Sequence, residues 1–317
     1  MAIYESFYNL RREPFSLTPD PHFMYLTPNH REALAQLHYT VQSRKGFAVL
    51  TGEVGTGKTT LLRGLLESGP AGARFAYVFN PPRTRLELYS ALAMEFGLDL
   101  KSADGQLFVQ LQRFLVDSYR ENRTVVAIFD EVQDLPRDVL EEIRLLTNLE
   151  TASTKLLQVI LAGQPEFDTT LDSHQLRALR QRVVLRYSLL PLALEETIQY
   201  IGTRLQIAGA DRSPFDLSAC RAVQRYSGGT PRLINLICDN ALLVGYASGK
   251  RTIDVSIIES VAADVRLPDS DGRIPKAGKR SAGYEPMLPE ASGRGRKIAV
   301  GFALAAFVLL IAVWAIL

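Results

Sequence analysis

Cysteine and histidine are scarce in this sequence, and neither sign of charge dominates. Cys220 and Cys238 are the two cysteines among 317 residues. Because no CxxC pair or His-rich spacing accompanies them, we interpret both as small core residues of helices rather than a bridge or metal ligands. The four histidines lack ligand spacing and a catalytic partner, so we assign them to the surface or the core. Lys and Arg number 36 against 34 Asp and Glu, and this balance does not indicate a nucleic-acid partner.

A long run without charge occurs at residues 298–317. At about 1.5 Å per residue, this run would span the roughly 30 Å hydrocarbon core of a bilayer as a helix, so we predict one transmembrane helix. A buried core helix and a removable lipid-anchor signal are the alternatives. Arg294, Arg296 and Lys297 precede the run, and no signal-peptide pattern occurs in the first thirty residues. The positive-inside rule then places residues 1–297 on the cytoplasmic side.

Apolar runs alternate with helical patterns upstream of residue 191. Five runs have the length and composition of buried strands: GFAVLTG (46–52), ARFAYVFN (73–80), TVVAIFDE (124–131), KLLQVILAG (155–163) and RVVLRYSLL (182–190). Between them, apolar residues share helix faces, for example Leu86, Tyr89, Leu92, Ala93 and Phe96. This alternation predicts an α/β fold with a parallel five-stranded sheet that is covered on both faces.

The strand signal fades after Pro191, and this change defines the predicted domains. Residues 1–190 are predicted to form the α/β core with an amino-terminal extension. Two or three helices over residues 191–265 are predicted to form a small helical lid domain. Residues 266–297 are rich in Pro, Gly, Ser and basic residues without apolar periodicity. We therefore predict a flexible basic linker that leads to the transmembrane helix.

The segment GEVGTGKT, residues 52–59, lies between the first predicted strand and the next helix and matches GxxxxGK followed by Ser or Thr. Gly55 and Gly57 let the loop curl, so that its N–H groups and the helix N-terminus meet a phosphate. Lys58 is predicted to reach the β and γ phosphates of ATP, and the Thr59 hydroxyl to coordinate Mg²⁺. The predicted nucleotide-binding residues are Gly52, Glu53, Val54, Gly55, Thr56, Gly57, Lys58, Thr59 and Thr60.

Two acidic residues end the third predicted strand. Asp130 and Glu131 are expected at the carboxyl edge of the sheet, where open α/β sheets bind ligands. We predict that Asp130 holds Mg²⁺ and that Glu131 polarises a water for attack on the γ phosphate. Capping of the helix that starts near Pro136 is the alternative. Gln164 follows the fourth strand, and its amide would lie beside the two acids and orient the attacking water, unless it is a plain turn residue.

Two arginine positions complete the predicted site. The motif GGTPR, residues 228–232, closes one helix and starts the next with Thr230 as cap and Pro231 in the first turn. Because a cation at the positive end of a helix is unfavourable without a partner, we predict that Arg232 senses the γ phosphate, with a surface salt bridge as the alternative. We predict that Arg182, before the fifth strand, acts as a trans finger in a neighbouring subunit's site, with a solvated helix end as the alternative. The other candidates for this role are Arg177 and Arg180.

These motifs together resemble the AAA+ ATPases and, within them, the general secretion pathway protein A family of bacterial secretion and pilus loci. The resemblance covers roughly residues 3–265 and rests on FYNLRREPFSLTPDPHFMYLTPNHREAL, GFAVLTGEVGTGKTTLL, DEVQDL, LAGQPEF, LRQRVVLRYSLLPL and GGTPRLIN. It implies ATP hydrolysis that drives a conformational cycle, assembly into a ring or partial ring, and anchoring in the bacterial inner membrane. It also implies that residues 14 and 15 help to wall the adenine site.

The resulting prediction is a membrane-anchored AAA+ ATPase that uses ATP and Mg²⁺ to drive assembly or operation of a cell-envelope secretion or export machinery. We expect a homo-oligomer, envelope export proteins as partners and no specific nucleic acid. Fuller members of the family continue into a periplasmic peptidoglycan-binding domain, whereas this chain ends at Leu317. This difference implies a separate envelope partner or a related role such as exopolysaccharide export. Two alternatives remain: a DNA-associated ATPase of the transposition-helper or initiator type, and an ATP-gated scaffold that does not hydrolyse ATP.

Overall fold

The strands of the protein form one parallel sheet. The computed structural model describes residues 3–18, 21–23, 25–100, 104–152 and 154–268. The strands are β1 Phe47–Gly52, β2 Arg74–Val78, β3 Val125–Phe129, β4 Leu157–Gly163 and β5 Leu185–Leu189. They are arranged in the order β2-β3-β4-β1-β5, and every neighbouring pair is parallel. The predicted parallel five-stranded sheet and its five segments are confirmed.

The inner strands explain why the sequence shows continuous apolar runs. β1, β3 and β4 are buried along their whole length, whereas the edge strands β2 and β5 alternate in exposure. Neighbouring residues of β1 enter different cores, since Val49 lies in one hydrophobic cluster and Leu50 in another. Successive side chains of a strand point to opposite faces, and both faces of this sheet are covered. Apolar residues are therefore needed at every position of an inner strand.

Helices cover both faces of the sheet. One face carries α1 Pro28–Gln42 and α2 Lys58–Ser68. The other face carries α3 Arg85–Phe96, α4 Asp104–Arg120, α5 Arg137–Leu146, α6 Pro165–Asp172 and the short α7 Arg177–Arg180. This two-sided cover places the carboxyl ends of the strands, and the loops that follow them, at one open edge.

The buried face of α3 differs in one residue from the predicted one. Leu86 was expected to face the core, but it is 45% exposed, whereas Leu88 is fully buried. The buried face is centred on Leu88 and Leu92, which lie about one turn apart. Leu86 lies roughly 200° around the helix from Leu88, because each residue advances an α-helix by about 100°. The expectation for Leu86 is therefore wrong.

Four helices follow β5 within the part of the chain that the structure describes, where the sequence predicted two or three. They are α8 Leu194–Ile207, α9 Leu217–Ser227, α10 Pro231–Ala247 and α11 Val255–Asp264. Asp216 and Asp254 precede α9 and α11, and each side chain accepts a hydrogen bond from a backbone N–H three residues later. These caps separate short helices that the apolar pattern alone does not separate. Cys220 and Cys238 are buried in this helical region as free thiols, which confirms their assignment to the core.

The amino-terminal segment packs with these four helices. The hydrophobic cluster that they form also contains Tyr4, Tyr8, Leu10, Phe15 and Phe23. The buried Arg204 of α8 donates a hydrogen bond from Nε to the Pro14 carbonyl oxygen at 2.6 Å. Phe15 is fully buried and contacts Phe215 edge to face, with ring centroids 5.9 Å apart. The expected role of Phe15 in walling the adenine site is wrong, because its whole side chain is used in this core.

The predicted linker and the predicted transmembrane helix lie almost wholly beyond the last described residue, 268. No helix within the described ranges combines the length and apolar character needed to cross a bilayer. The predicted transmembrane helix, residues 298–317, lies outside the described residues, as does the predicted linker apart from residues 266–268. The division of the chain after residue 190 stays a prediction.

Gly229 joins the turn between α9 and α10 to the segment that follows β5. Its carbonyl accepts the Leu192 N–H at 2.8 Å. Its φ is +79°, and an added Cβ would lie 2.0 Å from the Leu192 carbonyl oxygen, whereas Gly228, at φ +55°, has open space around it. The left-handed conformation costs a non-glycine residue about 1–2 kcal/mol at either position.

We expect Gly229→Ala to lose about 1–3 kcal/mol more free energy of unfolding than the matched variant Gly228→Ala, because overpacking adds to the backbone cost only at Gly229. Denaturant titration of the two variants and the parent measures this difference. Equal losses in the two variants would contradict the close approach at Leu192.

Candidate active site

The loop between β1 and α2 has the conformation of a phosphate-binding cradle. Gly55 and Gly57 have φ values of +82° and +103°, and Gly57 is the residue before the first turn of α2. Glycine adopts this left-handed region without steric cost. Free N–H groups and the positive end of the helix dipole make such an N-terminus an anion site. Of the nine predicted nucleotide-binding residues, 52–60, Gly52 ends β1, and the others lie in this loop and the first turn of α2.

His30 of α1 contacts the phosphate loop through its imidazole ring. Its Nε2 lies 2.9 Å from the Thr56 carbonyl oxygen, and its Nδ1 lies 2.7 Å from the Thr27 hydroxyl. Burial lowers the pKa of His30, so the imidazole is neutral at pH 7 and donates from Nε2 while Nδ1 accepts. The assignment of this histidine to the core is correct, but sequence analysis did not foresee that it contacts the loop. The Thr-Pro pair indicates where α1 begins, but it does not indicate the contact between His30 and the phosphate loop.

Lys58 is held by the loop itself. Its Nζ donates hydrogen bonds to the carbonyl oxygens of Gly52 at 2.7 Å and Glu53 at 3.1 Å. Burial lowers the pKa of Lys58, and the nearby carboxylates of Glu131 and Asp130 act in the opposite direction. The ammonium group thus bonds to the loop carbonyls and lies within the field of the acidic pair, and such a cation can bind phosphate.

Asp130 follows β3 and lies against the first turn of α2. Its side chain is 1% exposed, and its Oδ2 accepts hydrogen bonds from the Thr59 hydroxyl at 3.0 Å and the Tyr77 hydroxyl at 2.7 Å. The structure thus brings together the two predicted magnesium ligands. A hydroxyl and a carboxylate are hard oxygen donors of the kind that Mg²⁺ takes beside phosphate and water, so these residues fit the ion. Tyr77 of β2 was missed, because its place beside Asp130 depends on the pairing of β2 with β3.

Glu131 occupies an unusual backbone conformation beside this pair. Its φ is +53°, and its N–H donates to Oδ1 of Asp130 at 3.0 Å. The alternative role of these acids as caps of α5 is wrong, because Pro136 occupies the cap position of that helix and neither carboxylate bonds to it. The carboxylate of Glu131 lies near enough to Lys58 to favour the charged form of the ammonium group.

The structure brings Gln164 to Gln133, and the role of Gln164 in orienting the attacking water stays a prediction. Gln164 precedes α6, and its backbone N–H donates to Oε1 of Gln133 at 3.0 Å. The side-chain amide of Gln133 donates from Nε2 to Oε2 of Glu131 at 2.7 Å. The side-chain amide that bonds to Glu131 in this structure is thus that of Gln133. Sequence analysis did not single out Gln133, although it lies within the DEVQDL motif.

The backbone of Arg232 lies against the phosphate loop, and its role as a γ-phosphate sensor stays a prediction. Its backbone N–H donates to the Gly55 carbonyl oxygen at 3.4 Å, and a Cβ at Gly55 would lie 2.6 Å from the Arg232 Cβ. The guanidinium is exposed and forms no ion pair with any residue that the structure describes, so the salt-bridge alternative is not observed. Thr230 occupies the cap position of α10, as expected, but its side chain makes no capping hydrogen bond, and its methyl group lies toward Gly55.

The candidate finger arginines lie in and after α7, and within the described residues none bonds to the phosphate loop of its own chain. Arg180 is 3.8 Å from a carboxylate oxygen of Asp172, and Arg177 is exposed. Arg182 is half-buried in the turn before β5. Arg186 of β5 was not predicted, and it binds Asp168 at 2.6 Å and Asp172 at 2.9 Å.

Comparisons with known proteins agree with this architecture. The family model described as an AAA domain matches residues 41–171. The chain is 43% identical over 269 residues to General secretion pathway protein A of Aeromonas hydrophila, an alignment that covers 83% of this chain and 49% of that protein. The chain thus spans about half the length of the curated relative that it matches.

Solved structures with the same fold are similar at low identity. Cdc6p of Pyrobaculum aerophilum aligns with a TM-score of 0.60 at 18% identity, over 78% of this chain and 71% of that one. A chain of Drosophila ORC bound to DNA aligns with a TM-score of 0.61 at 19% identity, over 81% of this chain and 65% of that one. At such identities the likeness shows the fold alone. The chain is therefore an AAA-type P-loop protein, and its predicted resemblance to general secretion pathway protein A is confirmed.

Proposed function

We propose that the chain binds ATP with Mg²⁺ and hydrolyses it to ADP and phosphate, as a motor for a cell-envelope secretion or export machinery. The observation that carries this proposal is the convergence of Lys58, Thr59, Asp130 and Glu131 beside a glycine-lined helix N-terminus. Nucleotide binding requires the loop and the lysine, and hydrolysis requires the acidic pair as well. All four groups meet at one edge of the sheet.

Each residue has a role in this proposal. The loop N–H groups and Lys58 bind the phosphates, while Thr59 and Asp130 hold Mg²⁺, which neutralises charge on the phosphate oxygens when it is bound. Glu131 accepts a proton from the attacking water, and Gln164 helps to order this region. Arg232 contacts the γ phosphate from α10, whose first turn already rests on Gly55.

The cellular role rests on the relative's name and on the sequence. General secretion pathway protein A supports a function in secretion, with envelope export proteins as partners. We propose that the ATPase part lies in the cytoplasm, that the chain is divided after residue 190 into core and lid, and that residues 298–317 form a single-pass anchor in the bacterial inner membrane. We also propose a homo-oligomer, because AAA+ ATPases place an arginine of one subunit at the site of its neighbour.

Two measurements separate this proposal from the alternatives. An ATP-gated scaffold would bind ATP tightly with negligible turnover. A DNA-associated ATPase would show strong stimulation by duplex DNA that falls steeply with added salt. The likeness to ORC and Cdc6p does not favour the second alternative, because it shows the fold alone.

The test of nucleotide binding is Lys58→Ala. We expect the Kd for ATP with Mg²⁺ to rise by at least about 30-fold, since truncating one partner of a buried charge pair costs about 2–5 kcal/mol. Isothermal titration calorimetry measures this change. The matched control is Lys45→Ala, which removes an exposed lysine that donates to the Tyr39 hydroxyl. An unchanged Kd in Lys58→Ala, or no binding by the parent protein at millimolar ATP, would refute the proposed function.

A further inference from the structure

We propose that Gln133 is a positioning residue that orients the Glu131 carboxylate for hydrolysis and ties it to the turn before α6. This inference rests on the proposed ATPase function. Both ends of the Gln133 amide are engaged: Nε2 donates to Oε2 of Glu131 at 2.7 Å, and Oε1 accepts the Gln164 N–H at 3.0 Å. The amide orientation is self-consistent, because a carboxylate needs a donor and an N–H needs an acceptor.

The backbone of Glu131 does not by itself determine where its carboxylate points. The residue has φ +53°, and its N–H is held by Oδ1 of Asp130, so the main chain is anchored at the end of β3. Several rotatable bonds still separate this anchor from the carboxylate oxygens. Among the described residues, Gln133 provides the side-chain hydrogen bond to that carboxylate, and it leaves Oε1 of Glu131 available for a water proton.

The absence of a side chain at Gly163, at the end of β4, leaves room for the Gln133 amide. Gly163 immediately precedes Gln164, and a Cβ there would lie 2.9 Å from Oε1 of Gln133 and 2.8 Å from Cγ2 of Val132. A larger residue would push the turn that carries Gln133 away from the strand end. Gly163 thus allows the close approach that places Gln133 between Glu131 and Gln164.

Two variants test the two hydrogen bonds of the Gln133 amide separately. Gln133→Met keeps the length of the side chain and removes both hydrogen bonds. Gln133→Glu keeps an acceptor for the Gln164 N–H but removes the donor to Glu131 and adds a like charge. The matched control is Gln36→Met, which removes a glutamine that donates to Glu32 at 3.1 Å on the exposed surface of α1.

The first readout is steady-state ATPase kinetics with parallel nucleotide titration. We expect kcat to fall by about 10–100-fold in both Gln133 variants, as is typical when a partner that orients an active-site ligand is removed. The Kd for ATP should stay within about two-fold of the parent, since catalytic groups that act in the transition state affect kcat more than binding. In the Glu131→Gln background, Gln133→Met should lower kcat no further, because the two residues act as one unit.

The second readout needs no nucleotide. Hydrogen exchange of the peptide that contains the Gln164 amide should be roughly five-fold faster at that position in Gln133→Met, the factor for loss of one hydrogen bond of ordinary net strength. Exchange should be unchanged in Gln133→Glu and in Gln36→Met. This pattern, together with the kinetic loss in both Gln133 variants, supports a positioning role through Glu131.

Other outcomes overturn the proposal. If Glu131→Gln is inactive but Gln133→Met and Gln133→Glu turn over like the parent, Gln133 does not position the acid, and the ATPase function stands. Additive losses in the double variant would show that Gln133 acts independently of Glu131. If Glu131→Gln turns over like the parent, both this inference and the proposed catalytic assignment fail.

Discussion

Glu131→Gln is expected to bind ATP and Mg²⁺ normally and to hydrolyse ATP about 10²–10⁴ times more slowly than the parent protein. Glutamine has the shape of glutamate, but its neutral amide does not accept a proton from water. The groups proposed to bind nucleotide and metal, Lys58, Thr59 and Asp130, keep their hydrogen bonds, because none of these bonds involves the Glu131 side chain. Single-turnover phosphate release and calorimetry measure the two properties separately.

Glu166→Gln is the control for Glu131→Gln. Glu166 is an exposed carboxylate in the first turn of α6, and its field also reaches Lys58, so the control removes a similar charge without touching the catalytic acid. We expect turnover close to that of the parent. Equal turnover in Glu131→Gln and the parent would remove the catalytic assignment of Glu131.

Arg182→Ala is expected to lower kcat by about 10³–10⁵-fold in the assembled protein, the contribution of an arginine finger to phosphoryl transfer. Arg182 is half-buried at the turn before β5, whereas Arg186 is held by Asp168 and Asp172 and is not free to reach a second chain. Arg180 is also near Asp172, at 3.8 Å. Arg182 is therefore the favoured candidate, and Arg177→Ala and Arg180→Ala are the comparison variants.

Mixing experiments test whether Arg182 acts in trans. Arg182→Ala subunits keep an intact phosphate loop, and Lys58→Ala subunits keep the arginine. A mixed oligomer therefore contains sites in which both are present, and we expect partial recovery of ATPase activity. No recovery at any mixing ratio, with mixed oligomers verified by crosslinking, would contradict the trans role. A larger loss in Arg177→Ala or Arg180→Ala would transfer the role to that residue.

The difference between predicted and observed site residues follows from how each is recognised. Lys58 and Thr59 belong to one contiguous motif, and Asp130 and Glu131 end an apolar run, so local sequence patterns indicate them. Tyr77 lies 53 residues before Asp130, and His30 lies 26 residues before Thr56. No local pattern connects such pairs, because their contact depends on strand pairing and on the packing of α1 against the sheet.

In the helical region after Pro191, too, local sequence patterns did not predict which residues pack together. Its presence after Pro191 was predicted, but the number of helices and the use of residues 4–23 in its core were not. Phe15 was expected near the adenine site from resemblance, and the structure buries it against Phe215. An apolar residue in a segment without periodicity carries no local sign of which core it will enter.

By itself, the sequence determined the parallel sheet and the phosphate loop, because inner strands require unbroken apolar runs and a phosphate cradle requires glycines and a lysine at set spacing. Only the tertiary structure decided that Gln133 lies between Glu131 and Gln164 and that the first turn of α10 rests on Gly55. The contact of Gln133 with Gln164 and the contact of α10 with Gly55 join segments far apart in the chain. They form because the strand register and the close approaches at Gly163 and Gly55 bring those segments within hydrogen-bond distance.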